Sequence, residues 1–203
     1  KCWEKQQEGC RECMTACHSY HNVPDMGNIK DEIKWIWSAP FTNVFPEHEG
    51  ILDETLANSN TLALCNHCEN APCVRVCPTK ATFQTSSGIT VMDYHRCIGC
   101  RYCMAACPYG ARSFNFIDPR PFIKETNPEF PTREKGVVEK CGLCAERIDV
   151  GLQPLCVEAC PHHAIYFGDL NDAQSEIRKV LASRFSLQRK AELGTGPKVY
   201  YLV

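Results

Sequence analysis

Apolar residues in this chain come in short runs, and none reaches the roughly 18 consecutive positions a membrane-crossing helix needs. Ile89 to Asp93 alternates apolar and polar residues and predicts a strand leading into the loop at Cys97. Between Asp172 and Phe185, residues Ile177, Val180, Leu181 and Phe185 recur at helical spacing, so a helix is expected there. Gly194-Thr195-Gly196-Pro197 should end that region, and Val199 to Val203 reads as an edge strand or docking tail. The segment from Asp25 to Asn60 holds the run Ile33 to Trp37, then a proline- and acid-bearing stretch through Phe45, Pro46 and Glu49. Residues 115–140 carry Pro119, Pro121, Pro128 and Pro131 and read as an ordered, extended loop.

A repeat overlies these patterns. Three segments end alike: CPTKA (Cys77 to Ala81), CPYGA (Cys107 to Ala111) and CPHHA (Cys160 to Ala164). Each is followed within a few residues by an aromatic in a short apolar stretch: Phe83, then Phe114 and Phe116, then Tyr166 and Phe167. The repeating unit is a cysteine loop, a helical turn, a proline and a short strand.

Composition sharpens this picture. At 203 residues the chain makes one or two domains. Sixteen residues are cysteine, about 8% of the chain. Without them the 44% apolar content falls to about 36%, a thin core, so something bound to the sulfurs should supply much of the interior. The net charge of −2, with 22 Lys and Arg against 24 Asp and Glu, argues against a general nucleic-acid binder. The chain begins Lys1-Cys2 without an initiator methionine, so either processing or preceding residues outside this sequence are expected, and any export signal is out of view.

The cysteines fall into four groups of four: Cys2, Cys10, Cys13 and Cys17; Cys65, Cys68, Cys73 and Cys77; Cys97, Cys100, Cys103 and Cys107; Cys141, Cys144, Cys156 and Cys160. Disulfide-stapled secreted domains are usually shorter, with scattered spacings. Tetrahedral zinc wants C-x2-C pairs parted by a longer loop. That suits the fourth group in isolation but not the third, CIGCRYCMAACP, which is the C-x2-C-x2-C-x3-C-P run of bacterial ferredoxins. The reading is iron–sulfur. The first group departs from the repeat: His18, not proline, follows Cys17, and Cys2 stands seven residues before Cys10.

Other residues beside the cysteines are candidates for further chemistry. Haem or metal ligation by His18 and His21 stands against an ordinary hydrogen-bonding role. His67 lies inside a cysteine loop, where tuning of a potential stands against an ordinary structural role, and His162 and His163 read as spacers in CPxxA. Trp35 and Trp37 serve either a partner surface or the core. Lys80 and Arg101 sit beside cysteine loops, either offsetting cluster charge or simply solvated. No Walker A loop, GxGxxG or G-x-S-x-G motif occurs, and nothing suggests a substrate pocket or catalytic residues.

CNHCENAPCVRVCP, CIGCRYCMAACPYGA and CGLCAERIDVGLQPLCVEACP, with the last group spaced C-x2-C-x11-C-x3-C-P, resemble the four-cluster iron–sulfur (beta) subunits of the dimethyl sulfoxide reductase superfamily over nearly all of residues 1–170. Within that family, ACHSYHNVP, KDEIKWIW and FPE are most similar to the DsrO branch. The resemblance implies an α+β fold of two tandem ferredoxin-like modules with loop insertions and a C-terminal helix and tail. Residues 1–24 and 141–203 would form one module and 61–114 the other, with 25–60 and 115–140 inserted. It implies four [4Fe-4S] clusters whose ligands cross between groups. Cys65, Cys68, Cys73 and Cys107 form one set, and Cys97, Cys100, Cys103 and Cys77 its neighbour. Cys141, Cys144, Cys156 and Cys17 form a third, and Cys2, Cys10, Cys13 and Cys160 the last. The implied role is electron transfer on the outer (periplasmic) face of a membrane after twin-arginine export. The implied partners are an NrfD-type quinone-interacting subunit (DsrP-like), a triheme cytochrome c (DsrJ-like) and further DsrM-like and DsrK-like subunits. A molybdopterin oxidoreductase, such as polysulfide reductase, is the alternative setting.

Overall fold

The computed structural model describes residues 9–46 and 54–202, which leaves Cys2 and Glu49 outside the described residues. Each stretch between cysteine groups closes on itself as an antiparallel pair of strands. After the first group, whose helix α1 spans Glu12–Tyr20, strand β1 (Ile36–Pro40) pairs with β2 (Asn60–Leu64). The short helices α2 (Phe41–Val44) and α3 (Glu54–Ala57) lie between them. After the second group, with helix α4 (Pro72–Arg75), β3 (Thr82–Gln84) pairs with β4 (Thr90–Met92) and sets Phe83 opposite Val91. After the third, with α5 (Tyr102–Ala105), β5 (Ser113–Phe114) pairs with β6 (Val138–Glu139). The fourth group carries α6 (Ala145–Ile148) and α7 (Leu155–Glu158). The expected strand at Ile89 to Asp93 is thus β4, one residue shorter at each end.

Helices pair across groups rather than within them. Helix α1 lies against α7, and α4 against α5, so the first cysteine group meets the fourth and the second meets the third. Helix α4 takes its φ at the start from Pro72, whose missing N–H costs nothing in a first turn.

Sulfur supplies much of the interior. One buried cluster joins Cys65, Cys68, Cys73, Cys103 and Cys141 to Ala71, Tyr109, Ala111 and Val138. A second sets Cys13 and Cys17 against Val23, Met26, Ile33, Trp35 and Ile36. A third, without cysteine, is Val44, Phe45 and Ala63 under Tyr201, whose ring meets Phe45 edge-on at 5.0 Å.

Residues 115–140 are mostly extended, with a 3-10 turn at Arg120–Phe122 and further turns at 128–129 and 135–136, and their far end is tied down by a buried ion pair. Arg133 Nε donates to Glu139 Oε2 at 2.7 Å, with both side chains almost fully buried. Trp35 Nε1 donates to the same oxygen at 3.0 Å, and Asn115 Nδ2 to Glu139 Oε1 at 2.7 Å. The other arms of Arg133 reach the carbonyls of His21, Asn22 and Pro131. Burying a charge is tolerable only when it is paired and its hydrogen bonds are filled, and here one node fastens the 115–140 segment to the end of α1.

Two expectations change. The predicted helix at 172–185 is α8, Glu176–Ser183, with Ile177, Val180 and Leu181 half-buried. Arg184 is extended and leads into β7 (Ser186–Leu187), which pairs with β8 (Tyr201–Leu202); that strand pairing leaves Phe185 86% exposed. The CPHHA copy of the repeat forms no strand at Tyr166 and Phe167. The tail does form its edge strand, and it also crosses the molecule. Glu69 N donates to Gly196 O at 2.8 Å, Asn70 N to Thr195 O at 2.9 Å and Lys198 N to Asn66 O at 2.9 Å.

Candidate metal centres

The three C-x2-C loops of the second, third and fourth groups share one backbone device. The residue just before the second cysteine is left-handed: His67 (φ 42°), Gly99 (φ 69°) and Leu143 (φ 56°). In the fourth group Cys144 itself (φ 51°) follows in the same region, and in each loop the reversal bends the chain between the two cysteines. At Gly99 no side chain fits, since a Cβ would stand 2.4 Å from the Gly136 carbonyl oxygen.

The CPxxA ending has a similar cause. Its last variable residue is left-handed in all three copies: Lys80 (φ 56°), Gly110 (φ 62°) and His163 (φ 45°). The turn brings the N–H of the following alanine onto the group's last sulfur, as in Ala164 N to Cys160 Sγ at 3.4 Å. Ala81 and Ala111 serve Cys77 and Cys107 in the same way. Such N–H···S bonds stabilise a thiolate and raise the potential of a cluster it holds. Leu143 N and Leu155 N reach Cys141 Sγ and Cys144 Sγ, each at 3.4 Å.

All fifteen cysteines among the described residues are free, and most are buried. They gather across groups. Cys77 lines one small cavity together with Cys97, Cys100 and Cys103. Burial pushes the Cys107 thiol up, and the sulfurs of Cys65 and Cys73 push it further. Burial likewise holds the Cys17 thiol well above the ordinary range, with Cys141, Cys156 and Cys144 of the fourth group adding to the effect. Cys156 is pushed up to about 12 by burial and by Cys144 and Cys13. Bare thiolates crowded this closely in a dry interior repel one another. A polynuclear iron centre shared between them offsets that repulsion, and the donor set fits that group.

Cations offset the crowding. Burial raises the Cys65 thiol, yet His67 and the Lys140 ammonium beside it hold it well below the usual range. The Lys140 Nζ donates to the carbonyls of Thr90 and Cys141. Arg112 Nη1 donates to Thr82 Oγ1 at 3.1 Å and to Met92 Sδ at 3.2 Å, with the sulfurs of Cys73, Cys103 and Cys65 around it. Neither cation stands out in the sequence, where CPYGAR and EKC give no hint of burial.

The remaining sequence candidates sort clearly. His18 is a hydrogen-bonding histidine, its Nε2 3.0 Å from Ile36 O, and burial lowers its pKa. His21 is fully buried between Cys17 O (2.8 Å from Nδ1) and Glu146 Oε1 (3.2 Å from Nε2). Burial disfavours its charge, but hydrogen bonds to Cys144 and Glu146 outweigh that and raise its pKa to about 9. The trio of His21, Cys144 and Glu146 has metal-ligand chemistry, but its one thiolate belongs to the fourth cysteine group, so His21 reads as that sulfur's donor. Trp35 is core, and Trp37 is half-buried with Lys34 over its ring. Lys80 is exposed at its left-handed position. Arg101 lies over the rings of Phe114 and Phe116 and beside the Cys97 cavity. His163 is no mere spacer, since it holds the left-handed place; His162 is half-buried beside it.

A family described as 4Fe-4S dicluster domain matches residues 59–117 and 127–170. The chain is 45% identical over 201 residues to the Hdr-like menaquinol oxidoreductase iron-sulfur subunit 1 of Archaeoglobus fulgidus, covering 93% of this chain and 71% of that one. It is 36% identical to the menaquinone reductase iron-sulfur cluster-binding subunit of Nitratidesulfovibrio vulgaris (96% of this chain, 84% of that one). It is equally similar, at 36%, to the B component of the polysulfide reductase of Wolinella succinogenes (95% and 86%). The chain belongs to the 4Fe-4S dicluster family, among the iron–sulfur subunits of oxidoreductase complexes, and its cysteines serve four [4Fe-4S] clusters.

Proposed function

We propose that the chain is the DsrO-type iron–sulfur subunit of a DsrMKJOP-like respiratory complex linked to sulfite and sulfate metabolism. In this reading it relays electrons between an NrfD-type (DsrP-like) quinone-interacting membrane subunit and a triheme cytochrome c (DsrJ-like), with DsrM-like and DsrK-like subunits in the same assembly. The observation that carries it is the 45% identity, over nearly the whole chain, to a subunit of an Hdr-like menaquinol oxidoreductase. The complex would hold the chain peripherally on the outer, periplasmic face of the membrane. No helix among the described residues is long and apolar enough to cross a membrane.

The ligand sets in this reading are crossed. Cys65, Cys68, Cys73 and Cys107 act together, as do Cys97, Cys100, Cys103 and Cys77; Cys141, Cys144, Cys156 and Cys17; and Cys2, Cys10, Cys13 and Cys160. The cross-group pairing of α1 with α7 and of α4 with α5 supports that assignment, and with it a module from 1–24 and 141–203 and another from 61–114. Bound clusters supply one-electron transfer at low potential, while the chain's own residues set spacing, solvation and charge. Cys100 is exposed, with Ile98 and Tyr102 exposed on either side of it, so the set containing Cys100 is the one best placed to meet a partner protein.

The similarity to the polysulfide reductase component favours a second setting, beside a molybdopterin catalytic subunit. Mass spectrometry and metal analysis of the intact complex from its native membrane separate the two. A cytochrome c and a heterodisulfide-reductase-like subunit support the first, and stoichiometric molybdenum with a large catalytic subunit replaces it by the second.

A further inference from the structure

Two cations are buried among the sulfurs with no acid paired to them among the described residues. Lys140 is 1% exposed and Arg112 6%. Neither has a carboxylate partner among the described residues, although Arg133, buried just as deeply, has Glu139. Lys140 hands its protons to two carbonyls, of Thr90 and Cys141, and Arg112 uses Nη1 on Thr82 and Met92 while Nη2 finds no oxygen or nitrogen acceptor. A bare ammonium or guanidinium in a dry interior costs several kcal/mol unless opposite charge lies near it. The opposite charge available here is thiolate.

Their positions differ in an informative way. Lys140 precedes Cys141 and holds its carbonyl, its charge acts on Cys65, and Cys65 and Cys141 share the buried cluster where the second and fourth cysteine groups meet. Arg112 follows the third group and lies among Cys73, Cys65 and Cys103, where the second and third groups meet. Each cation therefore sits at a junction between two ligand sets, and the set of Cys65, Cys68, Cys73 and Cys107 belongs to both junctions.

We propose that Arg112 and Lys140 are countercharges placed between successive ligand sets, and that together they raise the reduction potential of the centre held by Cys65, Cys68, Cys73 and Cys107, the one set that both cations face. The inference rests on the crossed ligand assignment above. Reduction adds one negative charge to a centre, and a fixed buried cation favours the more negative state. The same cations lessen the repulsion between neighbouring centres reduced in turn. These are positioning residues, acting through charge and touching no substrate.

The test is a redox titration followed by low-temperature electron paramagnetic resonance on the iron-loaded protein in its complex, with iron content measured on each sample. Lys140→Met should lower two midpoints, and Arg112→Met should lower two, with one centre common to both. At a fixed poise each affected centre should lose about tenfold in its reduced-to-oxidised ratio, about 59 mV for a one-electron couple. Lys140→Arg and Arg112→Lys keep the charge and should leave the midpoints near those of the unsubstituted protein. Should Lys140→Met fail to load iron, Lys140→Gln retains a donor for the two carbonyls and carries the same comparison. Loading restored by Arg but by neither Met nor Gln identifies charge as what the site requires. Full iron content with unmoved midpoints overturns the countercharge role while leaving the ligand sets intact. Shifts that fall on entirely separate centres overturn the shared set, and with it the crossed assignment.

Discussion

Gly99 and Gly110 are both left-handed glycines in cysteine motifs, yet they have different tolerances. Gly110 has nothing within 4 Å of a Cβ, and its counterparts Lys80 and His163 hold side chains at the same turn. Gly110→Asn should therefore change stability by less than about 1 kcal/mol. Gly99→Ala meets both the left-handed penalty and the Gly136 carbonyl oxygen, and should cost roughly 2 kcal/mol or more. The urea concentration at which the cluster's visible absorbance disappears ranks the two variants; equal values would show that the Gly99 loop relaxes at no cost. The repeat CPxxA was legible in the sequence, but its reason was not. A motif shows which residues recur, whereas the role of the alanine N–H depends on the φ of the residue before it.

At the scale of elements, the hinge of the architecture is the node at Glu139, the last residue of β6. It accepts from Trp35, Asn115 and Arg133, and so binds together segments far apart in the chain. Glu139→Leu leaves the Arg133 guanidinium buried and unpaired and should destabilise the iron-loaded protein by about 3–5 kcal/mol. Pairing it with Arg133→Met should return a large part of that loss, because two apolar groups replace two charges. A double variant no better than Glu139→Leu would show that the hydrogen bonds to His21 and Asn22, rather than the charge, hold the segment. Four prolines make residues 115–140 legible as an ordered, extended loop. Which acid and which base of that loop turn inward is not legible, since a lone Arg or Glu in a polar stretch looks solvated until its partner is known.

For the whole molecule, iron and fold should stand or fall together. Two of the three buried clusters contain cysteine, and in one of them cysteine is the majority, so ligand binding energy is also folding energy. Anaerobically prepared protein should contain about sixteen iron and sixteen acid-labile sulfide per chain, and stripping the iron should abolish the near-ultraviolet circular dichroism. Native-like dichroism in the stripped chain would make the clusters passengers. The crossed ligand sets have their own check: Cys107→Ser and Cys68→Ser combined should remove only about four iron, the same as either alone, whereas a loss of about eight would assign the two sulfurs to different centres. The metal chemistry was the most legible feature of the sequence, because thiolate spacing is local. The cross-group pairing of α1 with α7, by contrast, joins the two ends of the chain, and only the resemblance anticipated it.

The strap formed by residues 189–198 has a bearing on biosynthesis. Thr195 Oγ1 lies 2.5 Å from the Tyr109 hydroxyl, Lys190 Nζ donates to Pro108 O at 2.8 Å, and Asn70 Nδ2 reaches Gly194 O across 124 residues of chain. A growing polypeptide thus displays the cysteines at 65–73 long before their cover has been translated. Uncovered for that interval, the loop should accept iron and sulfide from a donor, and the contacts of residues 189–198 should then close it. Nascent chains stalled short of residue 189 should accept a cluster at this loop from a scaffold donor quickly and surrender it to a chelator quickly, while chains released past residue 202 should do both slowly. Equal exchange rates from the two lengths would mean that the strap guards nothing and that delivery is timed elsewhere.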